Sequence, residues 1–105
     1  MNSEGHLSAE ASVADGTARL VLSGELDLNG VDPVTAELER LAAQDVTTVL
    51  VDASGLTFLD SSGLRALLAG REKLKAAGAT MQVVDASTAV TRVLDMTGTR
   101  SLLEG

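Results

Sequence analysis

The side chains that could do chemistry are few, and most lie around one short run. Asp60-Ser61-Ser62-Gly63 sets two adjacent hydroxyls between an acid and a glycine, with Arg65 one helical turn further on. The apolar run Val49 to Val51 comes before it, and a helical pattern from Leu64 to Leu74 comes after. The serines therefore stand where a strand gives way to a helix. A side-chain oxygen there can accept a hydrogen bond from an unpaired helix N–H. One serine would suffice for that, so two of them, flanked by Asp60 and Gly63, suggest a turn presented to something else.

Four chemistries use such a turn. A nucleophile elbow requires Gly-x-Ser-x-Gly and a base. Around Ser61 only the second glycine is present, and His6, the single histidine, is not placed near it by any pattern. A phosphate-cradling loop would exploit the N–H groups of the helix start, but Gly-x-x-x-x-Gly-Lys-Ser/Thr is absent. An aspartyl-phosphate site could draw on Asp52, Asp60 and Asp85 near strand ends; it would also need a placed lysine, and Lys73 and Lys75 look solvated within a helix. The fourth is phosphate acceptance by a serine. From position alone, capping is the better reading of Ser61. If Ser62 is the cap, Ser61 is left free in solvent.

Composition narrows the classes further. A length of 105 residues is one domain, 1–105, with a modest core. With no cysteine and one histidine, neither disulfides, thiolate metal sites nor a histidine cluster are available, and no cofactor is expected. A net charge of −7 disfavours nucleic acid and anionic lipid. No apolar run reaches the roughly 18–20 residues that span a bilayer. Met1-Asn2-Ser3-Glu4 lacks a basic start and an apolar stretch, so a cytoplasmic protein is expected, with residues 1–6 loose and the free domain a monomer. Fifteen alanines, and six arginines against two lysines, fit a GC-rich bacterial coding bias. Phe58 is the single aromatic residue, so the core must be aliphatic.

The elements that would position the turn alternate. Residues 7 to 13 alternate, with Leu7, Ala9, Ala11 and Val13 on one face. Asp15-Gly16 is a hairpin turn leading into a strand over 17 to 23. Asp32-Pro33 reads as a cap and first residue of a helix burying Val34, Leu38 and Leu41. Val46 to Asp52 reads as a buried strand, and residues 62 to 77 as a helix ended by Gly78. Gly70 within it suggests a close helix–sheet contact. A strand over 79 to 84 and a helix capped by Ser87 and closed by Gly98 follow. This order implies an α/β fold with a mixed sheet of about four strands and about three to four helices.

Asp60-Ser61-Ser62-Gly63-Leu64, with Gly24-Glu25-Leu26-Asp27 upstream, resembles the STAS domain of the anti-anti-sigma factors, the anti-sigma factor antagonists. Val83-Val84, the helix with Val90, Arg92 and Leu94, and Met96-Thr97-Gly98 extend the resemblance from about residue 7 to about residue 103. It implies a STAS-like sheet whose last element is short or missing here, and a protein-binding switch without enzymatic activity. It implies phosphorylation of Ser61, reversing the reading from position alone. Asp27, Asn29, Asp60, Ser62, Gly63 and Arg65 are then expected to form a partner surface; Gly63 would admit a partner's backbone or only ease the turn, and Arg65, at i, i+4 from Ser61, would pair with the phosphate or stand as a solvated arginine. The partners implied are an anti-sigma factor serine kinase of the GHKL type and a PP2C-type phosphatase. The alternative within the family is an accessory subunit docking on a permease or ABC component of a transport complex.

Overall fold

The computed structural model describes residues 7–104; the expected loose segment 1–6, including His6, lies outside the described residues. Strands β1 (Leu7–Ala14), β2 (Thr17–Leu26), β3 (Thr48–Leu59) and β4 (Thr80–Val84) form one sheet in that order. β1 runs antiparallel to β2, while β2, β3 and β4 are mutually parallel. Helices α1 (Val31–Ala42), α2 (Ser61–Ala76), α3 (Thr88–Thr97) and the short α4 (Arg100–Glu104) connect and close it, with a 3-10 turn at Leu28–Gly30 before α1. The expected α/β class, mixed sheet and four strands are all found.

The hairpin follows from its two turn residues. Asp15 and Gly16 both have positive φ, 54° and 80°, the pair of left-handed conformations that a two-residue loop needs to match strand twist. Register then decides the core. Ala18, Val49 and Met81 stand side by side, as do Leu20, Val51 and Val83, and all six are buried. Their alternates Arg19, Val21, Leu50, Asp52, Gln82 and Val84 are half-buried or exposed, so the core lies on one face. Val34, Leu38 and Leu41 of α1 cover it, with Leu64, Leu67 and Leu74 of α2, Val90 and Leu94 of α3, and Leu103 of α4. Phe58 is 46% exposed, and the core is wholly aliphatic.

Both parallel connections are longer in strand than the sequence pattern shows. β2 continues through Leu26 and β3 through Leu59, with register shifts between Val21 and Ser23 and between Gly24 and Glu25. Bulges of this kind break the two-residue alternation and bend a strand end. They hid Ser54-Gly55-Leu56-Thr57 from pattern reading, and they carry both strand ends toward one rim of the molecule.

Three expectations need correction. Asp32 is not a cap: α1 begins at Val31 with Gly30 at the N-cap and no side-chain cap bond. The reason is the preceding 3-10 turn, whose cap is Asp27; it starts the helical run early and leaves Asp32 and Pro33 inside the first turn. There the Asp32 carboxylate complements the helix dipole. Gly70 makes a helix–helix contact rather than a helix–sheet contact, since a Cβ there would meet Leu38 Cδ1 of α1 at 2.3 Å. Val13, expected to face inward, is 44% exposed at the hairpin end. Elsewhere the terminators stand as expected. Gly78 ends α2 with its N–H on Lys75 O at 3.0 Å and Ala79 N–H on Leu74 O at 2.8 Å. Ser87 caps α3 through Val90 N–H, and Gly98 closes it at φ 70°.

Candidate functional site

Two strand-to-helix junctions lie side by side. Leu26 and Leu59 are register partners at the ends of the parallel strands β2 and β3. Each is followed by an aspartate that caps what comes next. Asp27 Oδ1 accepts from Asn29 N–H at 3.0 Å, opening the Leu28–Gly30 turn. Asp60 Oδ1 accepts from Gly63 N–H at 2.9 Å, opening α2. The junctions are tied directly, because Asp60 N–H donates to Leu26 O at 3.3 Å. The geometry thus brings Gly24-Glu25-Leu26-Asp27 against Asp60-Ser61-Ser62-Gly63, two runs more than thirty residues apart in the chain.

The cap is Asp60, not Ser62. An ionised carboxylate is the stronger acceptor and also favours the positive end of the helix. With the capping role taken, Ser61 occupies the first position of α2 and is exposed, and its hydroxyl has no hydrogen-bond partner among the described residues. Ser62 is half-buried and lines a shallow groove. This groove, about 260 Å³, runs between Leu28, Val31 and Thr35 on one side and Ser62, Arg65, Ala66 and Ala69 on the other. Leu28 stands at its edge, 72% exposed. Arg65 is exposed with no ion pair among the described residues, and Asn29 is also exposed.

Gly63 is the site residue whose setting differs most from expectation. It is buried, and a Cβ on it would meet Leu26 O at 2.5 Å, Leu26 Cγ at 2.6 Å and Leu59 Cδ1 at 2.9 Å. The backbone that lies against it in this structure is that of the chain's own β2. Its missing side chain lets α2 start in contact with the neighbouring junction. Leu28, by contrast, was missed: a lone leucine in a polar loop carries no periodic signal, although its place just after Asp27 could have flagged it.

The three acids considered for an aspartyl-phosphate site are not together. Asp52 lies mid-strand in β3, level with Val21 and Val84, rather than at a strand end. Its carboxylate accepts from Ser54 N–H at 3.0 Å and Ser54 Oγ–H at 2.7 Å, and pairs with Arg19 at 2.7 Å. The Ser54 bonds first, and then Arg19, hold its carboxyl below the usual range. Arg19 also reaches Asp85 at 3.4 Å. Asp60 sits on the order of 20 Å further along the strand. Lys73 pairs with Glu39, and no group of three or more potential metal ligands occurs among the described residues. No helix among them is long and apolar enough to cross a membrane.

The candidate site is thus a pair of βα junctions at one rim of a four-stranded mixed sheet. A family model described as Mlab, STAS domain matches residues 10–104. The chain belongs to the STAS domain family. Among its relatives is the anti-sigma F factor antagonist of Paenibacillus polymyxa, 35% identical over 78 residues that cover 73% of this chain and 67% of the relative. The solved structure of the anti-sigma factor antagonist SpoIIAA in its unphosphorylated form is similar at a TM-score of 0.77 with 28% identity, covering 92% of this chain and 84% of that one. The Bacillus SpoIIAA in its phosphorylated form is similar at 0.71 with 26% identity, covering 94% and 88%.

Proposed function

We propose that this chain is an anti-sigma factor antagonist, a cytoplasmic binding switch with no catalytic activity of its own. Its unphosphorylated form binds an anti-sigma factor that is a GHKL-type serine kinase, and the sigma factor is released. The kinase then phosphorylates Ser61 and the complex parts; a PP2C-type phosphatase restores binding. One observation carries this reading: Ser61 is an exposed hydroxyl, relieved of capping by Asp60, beside a second junction at Asp27. The kinship with anti-sigma factor antagonists supports it, as does the existence of a phosphorylated form of SpoIIAA.

The switch is electrostatic. Phosphate adds about −1.5 to −2 charges and three acceptor oxygens. At the first position of α2 the free N–H groups and the dipole favour it, whereas the nearby Asp27 and Asp60 carboxylates oppose it. These terms work against each other, so the domain stays folded in both states. The penalty falls on the complex, where a dianion would be desolvated without a partner. Asp27, Asn29, Asp60, Ser62 and Arg65 surround the modified residue in this reading. Arg65, one turn along α2, would pair with the phosphate.

The test is intact-mass phosphorylation and calorimetry with the cognate kinase. Ser61→Ala should bind and take up no phosphate. Ser61→Asp should fold and bind at least tenfold more weakly, and Ser62→Ala should still be phosphorylated. Phosphate uptake by Ser61→Ala, with none by Ser62→Ala, would move the site by one residue. If both variants behave as wild type and Ser61→Asp binds normally, the switch is excluded, and a docking subunit of a transport complex becomes the better reading.

A further inference from the structure

A cavity lined by described residues lies at the other end of α2. It is about 470 Å³ and opens between the last turns of α2, the edge strand β4 and α4. That volume falls within the roughly 300–1,000 Å³ of small-molecule sites. Arg71 and Lys75, one turn apart on α2, form one wall, and Ser101 and Leu102 of α4 form the other. Thr80 and Met81 of β4 lie between them. In a chain of net charge −7, two cations facing one cavity lined by hydroxyl and apolar groups are a local reversal of character.

We propose that this cavity binds a small organic monocarboxylate, its charge on Arg71 and Lys75 and its apolar body between Met81 and Leu102. The donors are available. Lys75 makes no ion pair and Ser101 Oγ no hydrogen bond among the described residues. Arg71 spends one nitrogen on Glu72 at 2.7 Å and keeps others. The charge count selects a monoanion. Glu72 offsets one of the two cations, and the C-terminus of α2 contributes a further partial negative charge. Glu104 is nearby but is paired with Arg100 at 2.7 Å. One carboxylate therefore leaves the site within about half a charge of neutrality, while a phosphate dianion leaves it with more than one negative charge in excess. α4 also limits the occupant. It is held against β4 by Gln82 Nε2–H donating to Glu104 O at 2.9 Å, which sets its main chain beside the strand edge. The cavity is about 15–20 Å along α2 from Ser61, so its ligand and a protein partner at Ser61 need not compete.

The probe is benzoate, titrated into the ¹⁵N-labelled chain and followed by amide chemical shifts. Saturable shifts are expected at Thr80, Met81, Ser101 and Leu102, with a Kd on the order of 1 mM, as suits so small a ligand. Phenyl phosphate and benzyl alcohol should each bind at least fivefold more weakly. Lys75 is exposed, so Lys75→Gln should keep the wild-type circular dichroism and weaken benzoate at least threefold. Ser101→Glu, which sets a fixed carboxylate at the mouth, should weaken it further. Non-saturating shifts, unchanged affinity in both variants, or phenyl phosphate binding as tightly as benzoate would each overturn the proposal.

Discussion

Replacing Gly63 by alanine tests whether that glycine serves the fold or a partner. The added Cβ would sit 2.5 Å from Leu26 O, 2.6 Å from Leu26 Cγ and 2.9 Å from Leu59 Cδ1. Ordinary carbon contacts are about 3.5–4.0 Å, so α2 must withdraw by about 1 Å. One of the three atoms is a backbone carbonyl oxygen that cannot rotate away. It is also the acceptor for Asp60 N–H, so withdrawal strains the bond that joins the two junctions. Overpacking of this type costs about 1–3 kcal/mol. Alanine returns up to about 1 kcal/mol through helix propensity and the unfolded chain. The net expectation is a loss of about 1–2 kcal/mol, or about 5–15 °C in Tm for a domain of this size.

Gly70→Ala is the internal control. Its Cβ would meet Leu38 Cδ1 at 2.3 Å, but Leu38 Cγ and Cβ only at 3.2 and 3.3 Å. The conflict is with the end of a flexible side chain, which a rotamer adjustment of about 0.5–1.5 kcal/mol can relieve. Helix propensity then offsets most of it. Urea and thermal unfolding of both variants should rank Gly63→Ala as clearly the less stable. If Gly63→Ala keeps full stability and loses only partner binding, the packing argument is wrong and the expectation of a partner's backbone at Gly63 is restored.

Asp60→Ala should cost about 1 kcal/mol in chemical denaturation, against changes within about 0.5 kcal/mol for Ser61→Ala and Ser62→Ala; equal losses at all three would refute the assignment of the cap. Asp52, whose folded carboxyl is depressed by Ser54 and Arg19, contributes stability that is present above the unfolded value near 3.9 and is lost as pH falls through the lower folded value. Asp52→Asn should therefore be less stable at pH 7, by about 1 kcal/mol, with the gap to wild type closing in denaturation series taken down through pH 4 to pH 2; a pH-independent gap would contradict this. Leu28→Ser should leave stability within about 0.5 kcal/mol and, on the proposed function, weaken kinase binding about tenfold by calorimetry; unchanged binding would exclude the groove beside Leu28 from the interface.

What pattern reading could reach was set by periodicity. Val34, Leu38 and Leu41 recur at helical spacing, and all three are buried in α1. Leu64, Leu67 and Leu74 do the same in α2, and the Asp15-Gly16 turn is chemically specific enough to stand alone. The strand ends were less legible. Ser54-Gly55 and Glu25-Leu26 lie at bulges, where two residues face one and alternation fails. The residues expected at the candidate site lie at or beside the two junctions, but their division of labour was not legible. Sequence placed Asp27 and Asp60 on the surface for a partner, yet both side chains are held by backbone N–H groups. Capping depends on which oxygen reaches which N–H, and that is a matter of a single backbone angle at the strand end.

That division has a physical consequence for a switch at Ser61. If the serine hydroxyl were the cap, adding phosphate would remove a hydrogen bond of the fold, and modification would cost stability before it reached any partner. Here a carboxylate one residue earlier holds Gly63 N–H, and the glycine fixes the start of α2 against Leu26. The helix start is therefore set by groups that phosphorylation does not touch. The exposed hydroxyl between them can change its charge by nearly two units while the backbone beneath it stays in place. On the proposed function, a chain built in this way would convert modification of Ser61 into a difference in binding rather than a difference in folding, which is what reversible partner exchange requires.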